Sequence, residues 1–425
     1  MTELTVRANG ATVGTLSVES GVWSFCYDET WQEWPLSPQL PLAEKHFVDR
    51  HENLQVEWFF DNFLPEGRVR RLIANRDRIA VQDTWAFLMR HGQDMAGALS
   101  LHQVDTFTDS PGGLLPLSPG ELQEKIRDTH ERHLPLMAAW DGMRMSLAGA
   151  QEKLGLLIRD DGSMFLPTGN SASTHIVKPE NISPDFPFCP ANEFFCMKLA
   201  RELKLPVPEV TLLHLPEPVY AITRYDRVEI SGSIRRLHQI DLCQAMGAPP
   251  SLKYESDGGL GLGDLLPALA TPMIERPIMA INAALQWVVF NYLIGNLDAH
   301  AKNIAFMVSG QKMRLAPFYD LLCVEAYLPG QPMSMAIAGE NKPGWIEWMQ
   351  WDALAKEAGV APRYLRTLLN AMQSALPKAA FRILEDNRLL SDEKRYIQEK
   401  VLPILEQRRG FIADSLKQNS SARTS

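Results

Sequence analysis

Leu297-Asp298-Ala299-His300-Ala301-Lys302-Asn303, running into Ile304-Ala305-Phe306, is the stretch on which the reading of this chain turns. It follows the most apolar run of the sequence, Ile278 to Gly295, and sets an aspartate and an asparagine five residues apart in a loop. A phosphotransferase catalytic loop uses that spacing to hold a carboxylate against the attacking hydroxyl and an amide oxygen against Mg2+. Taken alone, the residues also fit a capped helix-to-strand turn in which Asp298 and Asn303 bond their own backbone. Downstream, a strand-like Met313 to Ala316 leads to Pro317-Phe318-Tyr319-Asp320. Asn303 and Asp320 together give the hard oxygen ligands, without thiols, that Mg2+ requires.

Upstream, Thr174-His175-Ile176-Val177-Lys178-Pro179 reads as an apolar strand ending in a lysine, and Asn192-Glu193 opens the next helix. Kinases pair a strand lysine on the nucleotide phosphates with a helical glutamate, the roles open to Lys178 and Glu193. Singly, each has a plainer reading: a snorkelling strand-end lysine and a glutamate favoured by the helix dipole. Before them Ser146-Leu147-Ala148-Gly149-Ala150-Gln151-Glu152-Lys153 sits between two strands, matching neither G-x-G-x-x-G nor Walker A. Order gives these pieces weight. Loop, Lys178, Glu193, Asp298, Asn303 and Asp320 follow one another as a protein-kinase-like fold uses them.

The whole chain has 425 residues, 45% hydrophobic and 22% charged, with a net charge of -9, the profile of an ordinary globular protein. Its length suggests two or three domains. Five scattered cysteines with no C-x-x-C argue for thiols in a reducing compartment. The N-terminus carries no secretory pattern, and Asn282, Gln286 and Asn291 interrupt the apolar run, so the expectation is a cytoplasmic protein with no membrane partner. The negative charge argues against unaided wrapping of nucleic acid.

Residues 1 to 28 alternate as a hairpin around Asn9-Gly10 plus a third strand, and Val56 to Ala74 is helical with a break at Pro65 and Gly67. Residues 105 to 120, rich in Pro, Gly and Ser, read as a linker. Strands are expected at Met143 to Ser146, Leu154 to Ile158, Met164 to Leu166, His175 to Lys178, Val210 to Leu213 and Val219 to Thr223. A helix is expected over Asn192 to Leu203, and a helical C-terminal part begins near Asp264, interrupted from 298 to 340. The fold class is therefore α+β: bilobal and protein-kinase-like, with an additional N-terminal β-rich and helical subdomain and a mostly helical C-terminal lobe. The expected division is 1–104, 121–245 for ATP binding, and 246–420 for catalysis and metal.

These stretches also resemble a known family. S-L-A-G-A-Q-E-K (146–153), H-I-V-K-P (175–179), Y-E-S-D-G-G (254–259), D-A-H-A-K-N (298–303), P-F-Y-D (317–320) and F-F-D-N-F-L-P-E-G (59–67) are similar to the HipA family, serine/threonine kinases that act as toxins in bacterial type II toxin-antitoxin modules. The resemblance spans nearly the whole chain. It implies ATP and Mg2+ as cofactors, an aminoacyl-tRNA synthetase as protein substrate, a HipB-like DNA-binding antitoxin as partner, and operator DNA only within the antitoxin complex.

By motif, the resemblance also implies that Ala148, Gly149, Ala150, Gln151, Glu152 and Lys153 cover the phosphates and Lys178 contacts them. Thr223, Arg224 and Tyr225 would form the hinge at the adenine, and Asp298 would be catalytic. His300, Ala301, Lys302 and Asn303 would line the nucleotide, Tyr319 and Asp320 would reach the metal, and Ser146 would be autophosphorylated. The chain departs from the family where Ala299 replaces a common glycine and where Thr223 stands in place of a hinge carboxylate. Two other classes compete: an ATP-binding pseudokinase, against which the intact Lys178, Asp298, Asn303 and Asp320 argue, and a small-molecule kinase of aminoglycoside-phosphotransferase type. Arg363, Arg366, Lys378 and Arg382 read as a solvated face, with contact to operator DNA as the sharper alternative.

Overall fold

The computed structural model describes residues 2–103, 112–140, 148–149, 151–215 and 217–421. Two compact units emerge: Met1–Ile182 with His214–Pro250 and Ala305–Ala316, and Ser183–Leu213 with Ser251–Ile304 and Pro317–Ser425.

The first unit is rich in antiparallel sheet. Its N-terminal sheet runs in the order His46–Val48, Val22–Tyr27, Ala11–Glu19, Thr2–Ala8, Leu99–Gln103. Leu4, Val6 and Ala8 are buried at alternate positions, the period-two pattern of a strand with one face on a core. Asn9 (φ 49°) and Gly10 (φ 89°) make the hairpin turn, which needs two left-handed residues. The expected helical stretch is two helices, Gln55–Asp61 and Gly67–Asp77, parted at Pro65 as the sequence indicates. Phe59, Phe60 and Phe63 pack on one another and on Phe25 of the sheet.

A second sheet pairs Pro218–Thr223, His175–Pro179, Leu154–Ile158, Met164–Thr168 and Gly113–Leu117 in that order, all antiparallel. Here one expectation is corrected. Gly113–Leu117 is a strand and Pro119–Glu131 a helix, so 113–120 is not linker. The strand lies at the sheet's end, where Pro116 costs no ladder bond. Ser118 and Glu121 form a capping box, a signal present in the sequence and overlooked because Pro and Gly surround it. The remainder of the expected linker, 104–111, and the strand expected at Met143 to Ser146 lie outside the described residues. A hairpin, Arg227–Ile230 with Ser233–Arg236, and a small sheet of Gln239–Asp241, Ala305–Ser309 and Lys312–Leu315 complete the unit.

The second unit is helical: Cys189–Glu202, Leu262–Leu269, Pro277–Ile294, Trp348–Glu357, Pro362–Leu384 and Leu402–Ser421 are its longer helices. The Cys189–Glu202 helix starts three residues before the expected Asn192, with Pro190 in its first turn, a position where a missing N–H is harmless. Pro277–Ile294 is the long apolar helix. Trp287, Val289, Phe290, Leu293 and Ile294 are buried, each worth roughly 1.5–3 kcal/mol on removal from water. Among the described residues it alone is long and apolar enough to cross a membrane, and most of it is buried in the protein. Sheet and helix are segregated along the chain, the α+β class expected.

Candidate active site

The loop at 298 is delivered by the way its helix ends. Gly295 takes φ 65° as the C-cap of Pro277–Ile294, and a Cβ there would lie 2.8 Å from both Glu325 Oε2 and Ile404 Cγ2. Only glycine meets both demands. Beyond it, Asn296 Nδ2 donates to Asn291 Oδ1 (2.7 Å) and to the Asp320 carbonyl (3.3 Å), tying the loop to the second aspartate. Asp298 accepts at Oδ1 from the Tyr254 hydroxyl (2.9 Å), while its backbone N–H donates to Asn296 Oδ1 (3.2 Å). Ala299 is not among the residues with positive φ, so alanine replaces glycine without strain.

Asn303 is buried and donates through Nδ2 to the Asp298 carbonyl (2.9 Å). The plainer reading of the sequence, a local side-chain-to-backbone bond, therefore holds for Asn303. It also fixes which atom remains, because with Nδ2 committed the amide oxygen is the group left for a cation. Asp320 takes φ 58°, a left-handed conformation uncommon for a non-glycine residue. Next to it Tyr319 donates its hydroxyl to the Lys302 carbonyl (2.7 Å). His300 packs edge-on against Tyr254, ring centroids 5.1 Å apart. His300, Ala301 and Lys302 are all buried. An amide oxygen beside a carboxylate is the donor set that suits Mg2+. No cluster of three or more His, Cys, Asp or Glu side chains fit for a metal occurs among the described residues.

In the first unit Gly149 has φ 112°, and a Cβ there would stand 2.6 Å from Lys153 Nζ, which donates to the Ala148 carbonyl (2.7 Å). The backbone of Pro65 bridges Gly149 in parallel, and Glu66 N–H donates to its carbonyl (3.1 Å). The stretch 59–67 thus holds the loop at 149, a role the sequence does not announce. Burial pushes the Glu152 carboxyl above the ordinary glutamate range, with Arg68 opposing. Gln151 lies half-buried beside it. Ser146 and Ala150 lie outside the described residues.

Lys178 stands opposite Tyr220 in the sheet, 6% exposed, with Nζ 5.8 Å from the Tyr220 ring centre. Glu193, in the second unit, is 2% exposed. Neither is the solvated end that its plainer reading supposes. At the hinge positions Thr223 Oγ1 bonds His175 Nε2 (3.2 Å), and burial lowers the pKa of that imidazole. The Arg224 side chain is buried and bound to Asp226, Ser173 and the Met95 carbonyl. Its backbone N–H donates to the Thr174 carbonyl (2.8 Å). Burial drives the Tyr225 hydroxyl well above its ordinary range. Of the C-terminal basic residues, Arg366 donates to the Leu416 carbonyl (2.6 Å) and Arg382 pairs with Glu202 (2.9 Å).

Tyr254 and its neighbours are the functional residues that spacing rules miss. In Y-E-S-D-G-G, Tyr254 reaches Asp298, Glu255 accepts from Ala336 N–H (2.6 Å), and a Cβ on Gly259 would fall 2.0 Å from the Leu252 carbonyl oxygen. The signal available was the motif itself, quoted without a role.

Comparison with known proteins agrees with this geometry. The model of the HipA N-terminal domain matches residues 4–102, and that of the HipA-like C-terminal domain matches residues 145–380. The Sinorhizobium fredii protein Y4mE is 35% identical over 395 residues, 90% of this chain and 92% of that protein. The serine/threonine-protein kinase toxin HipA of Shewanella oneidensis is 31% identical over 393 residues, 88% of this chain and 87% of that one. A solved complex of the S. oneidensis MR-1 toxin-antitoxin proteins HipA and HipB with operator DNA contains a chain similar to this one. The TM-score is 0.83 at 29% identity, covering 97% of this chain and 99% of that chain. With family models covering both parts of the sequence and a relative above 30% identity along most of its length, the chain belongs to the HipA family.

Proposed function

We propose that the protein is an active serine/threonine protein kinase and the toxin of a type II toxin-antitoxin module, acting in the cytoplasm. The observation that carries the reading is the Asp298 loop: a carboxylate oriented by Tyr254, an asparagine amide turned by its own hydrogen bond, and Asp320 tied to the same loop through Asn296. Asp298 orients the substrate hydroxyl and accepts its proton as the γ-phosphoryl group passes from ATP to that oxygen and ADP leaves. Asn303 and Asp320 would hold Mg2+, which when bound neutralises charge on the phosphates. Lys178, secured by Glu193, and the loop from Ala148 to Lys153 hold the phosphates. The backbone of Thr223 to Tyr225 meets the adenine, and His300 to Asn303 line the nucleotide. The functional division is 1–104, 121–245 and 246–420.

The relatives support the finer points. The substrate is a protein serine, carried by an aminoacyl-tRNA synthetase, and the kinase also phosphorylates its own Ser146. A HipB-like antitoxin is the partner, and operator DNA is met within that complex. Incubation with labelled ATP and a cell lysate tests the class of substrate. Label on protein serine or threonine supports the reading; label only on small molecules supports a phosphotransferase of the aminoglycoside type, and no transfer with retained ATP binding supports a pseudokinase. Mass spectrometry after incubation with Mg-ATP should find phosphate on Ser146, and none in Asp298→Asn. Its absence from protein that phosphorylates its substrate removes autoregulation from the account.

A further inference from the structure

A second polar pocket lies within the first unit, and none of its residues belongs to the kinase machinery. Its volume is about 390 Å3, and Arg7, Arg235, Arg236, His102, Ser100 and Asn170 supply its polar wall. No aspartate or glutamate lines it, in a chain whose net charge is -9. Apolar surface comes from Ile230, Ile234 and Ala172. Three guanidiniums facing one cavity repel one another unless an anion joins them, and planar N–H forks suit phosphate.

The wall is built, not incidental. Asn9, in its left-handed turn, bonds both backbone groups of Arg236: Nδ2 donates to the carbonyl (2.8 Å) and Oδ1 accepts from the N–H (2.9 Å). That staple fixes the Arg227–Arg236 hairpin against the N-terminal sheet. Arg7 sits opposite Ser100 across paired strands, and His102 Nε2 bonds Ser100 Oγ (3.0 Å). Arg236 is 7% exposed, and its Nε has no hydrogen-bond partner. Behind the pocket, Arg224, Arg227 and Arg236 share only Asp94 and Asp226, at 2.8 to 3.8 Å, so one positive charge in the cluster is in excess. Arg235, half exposed, has only a loose 3.6 Å contact with Glu33, itself exposed, a pairing of little worth in water.

We propose that this pocket binds a small phosphorylated metabolite, a phosphomonoester whose phosphate is held by Arg7, Arg235 and Arg236 and whose carbon skeleton lies on Ile230 and Ile234. The volume falls in the range of small-molecule sites and exceeds what a phosphate alone would fill. The site is separate from the nucleotide site, and its failure would leave the kinase reading untouched.

Isothermal titration calorimetry on the full chain tests it, with the nucleotide site saturated by a non-hydrolysable ATP analogue and Mg2+. Ribose 5-phosphate, inorganic phosphate and ribose are the probes. Ribose 5-phosphate should bind, inorganic phosphate should bind more weakly, and ribose should give no heat. Arg7→Gln and Arg235→Glu, on the more accessible side of the pocket, should each weaken ribose 5-phosphate roughly tenfold or more while the ATP analogue binds as before. No heat up to about 10 mM ribose 5-phosphate, or equal affinity in both variants, overturns the site. Inorganic phosphate binding as tightly as ribose 5-phosphate overturns the metabolite class.

Discussion

Tyr254 carries the clearest expectation for a single side chain. Its hydroxyl is the donor on Asp298 Oδ1, and its ring packs against His300. Tyr254→Phe keeps the ring and removes the donor. A hydrogen bond to a charged group is worth about 1.5–3 kcal/mol, so kcat should fall roughly tenfold or more with KM for ATP unchanged. Steady-state kinetics check this, and an unchanged kcat would mean that the carboxylate needs no such support. Gly149 makes a second case. A side chain there has to adopt φ 112° and displace Lys153, so Gly149→Val should raise KM for ATP while thermal stability changes little. At this scale the catalytic residue types were legible because Asp298, Asn303 and Asp320 obey a spacing. Tyr254 was not, since a tyrosine 44 positions away reaches the site only through folding.

Among elements, the joint between the Pro277–Ile294 and Leu402–Ser421 helices rests on one ion pair. Arg408 is 2% exposed and binds Glu325, whose N–H donates to the Gly295 carbonyl at the helix end (3.0 Å). Removing one partner strands a buried charge, so Arg408→Ala should cost about 3–5 kcal/mol in urea unfolding, whereas an exposed control such as Arg409→Ala should cost under about 1 kcal/mol. A small loss for Arg408→Ala would mean that water reaches Glu325. Strands with plain alternation and helices with plain caps were readable. The Gly113–Leu117 strand was not, because an edge position tolerates the Pro and Gly that elsewhere mark a loop. The bond between Glu66 and Gly149 was equally hidden, since main-chain pairing across 83 residues leaves no trace in residue type.

For the molecule as a whole, acid sensitivity has an identifiable source in His238, stacked on Trp34 at 4.0 Å with Nε2 bonded to the Leu36 carbonyl. Burial lowers its pKa to about 4, with that carbonyl opposing. An unfolded chain takes up the proton near pH 6.5, so it binds more protons than the folded one between about 6.5 and 4. His238 therefore contributes its full stability above pH 6.5 and loses it as pH falls through that window. Between pH 7 and 5 the loss should be about 2 kcal/mol, and His238→Asn should flatten the pH dependence of the urea midpoint by that amount. An identical slope in the variant would place the proton uptake elsewhere. Whole-chain architecture was legible through the order of its motifs, from the loop at 146 to Asp320, while the anion pocket was not, because its arginines come from three separate strands and hairpins. The central claim is that Asp298 performs phosphoryl transfer on a protein, and the most direct measurement is the transfer rate of purified Asp298→Ala against wild type with saturating Mg-ATP. The account predicts a fall of at least about a hundredfold with the fold intact by circular dichroism; transfer above about a tenth of the wild-type rate would contradict it.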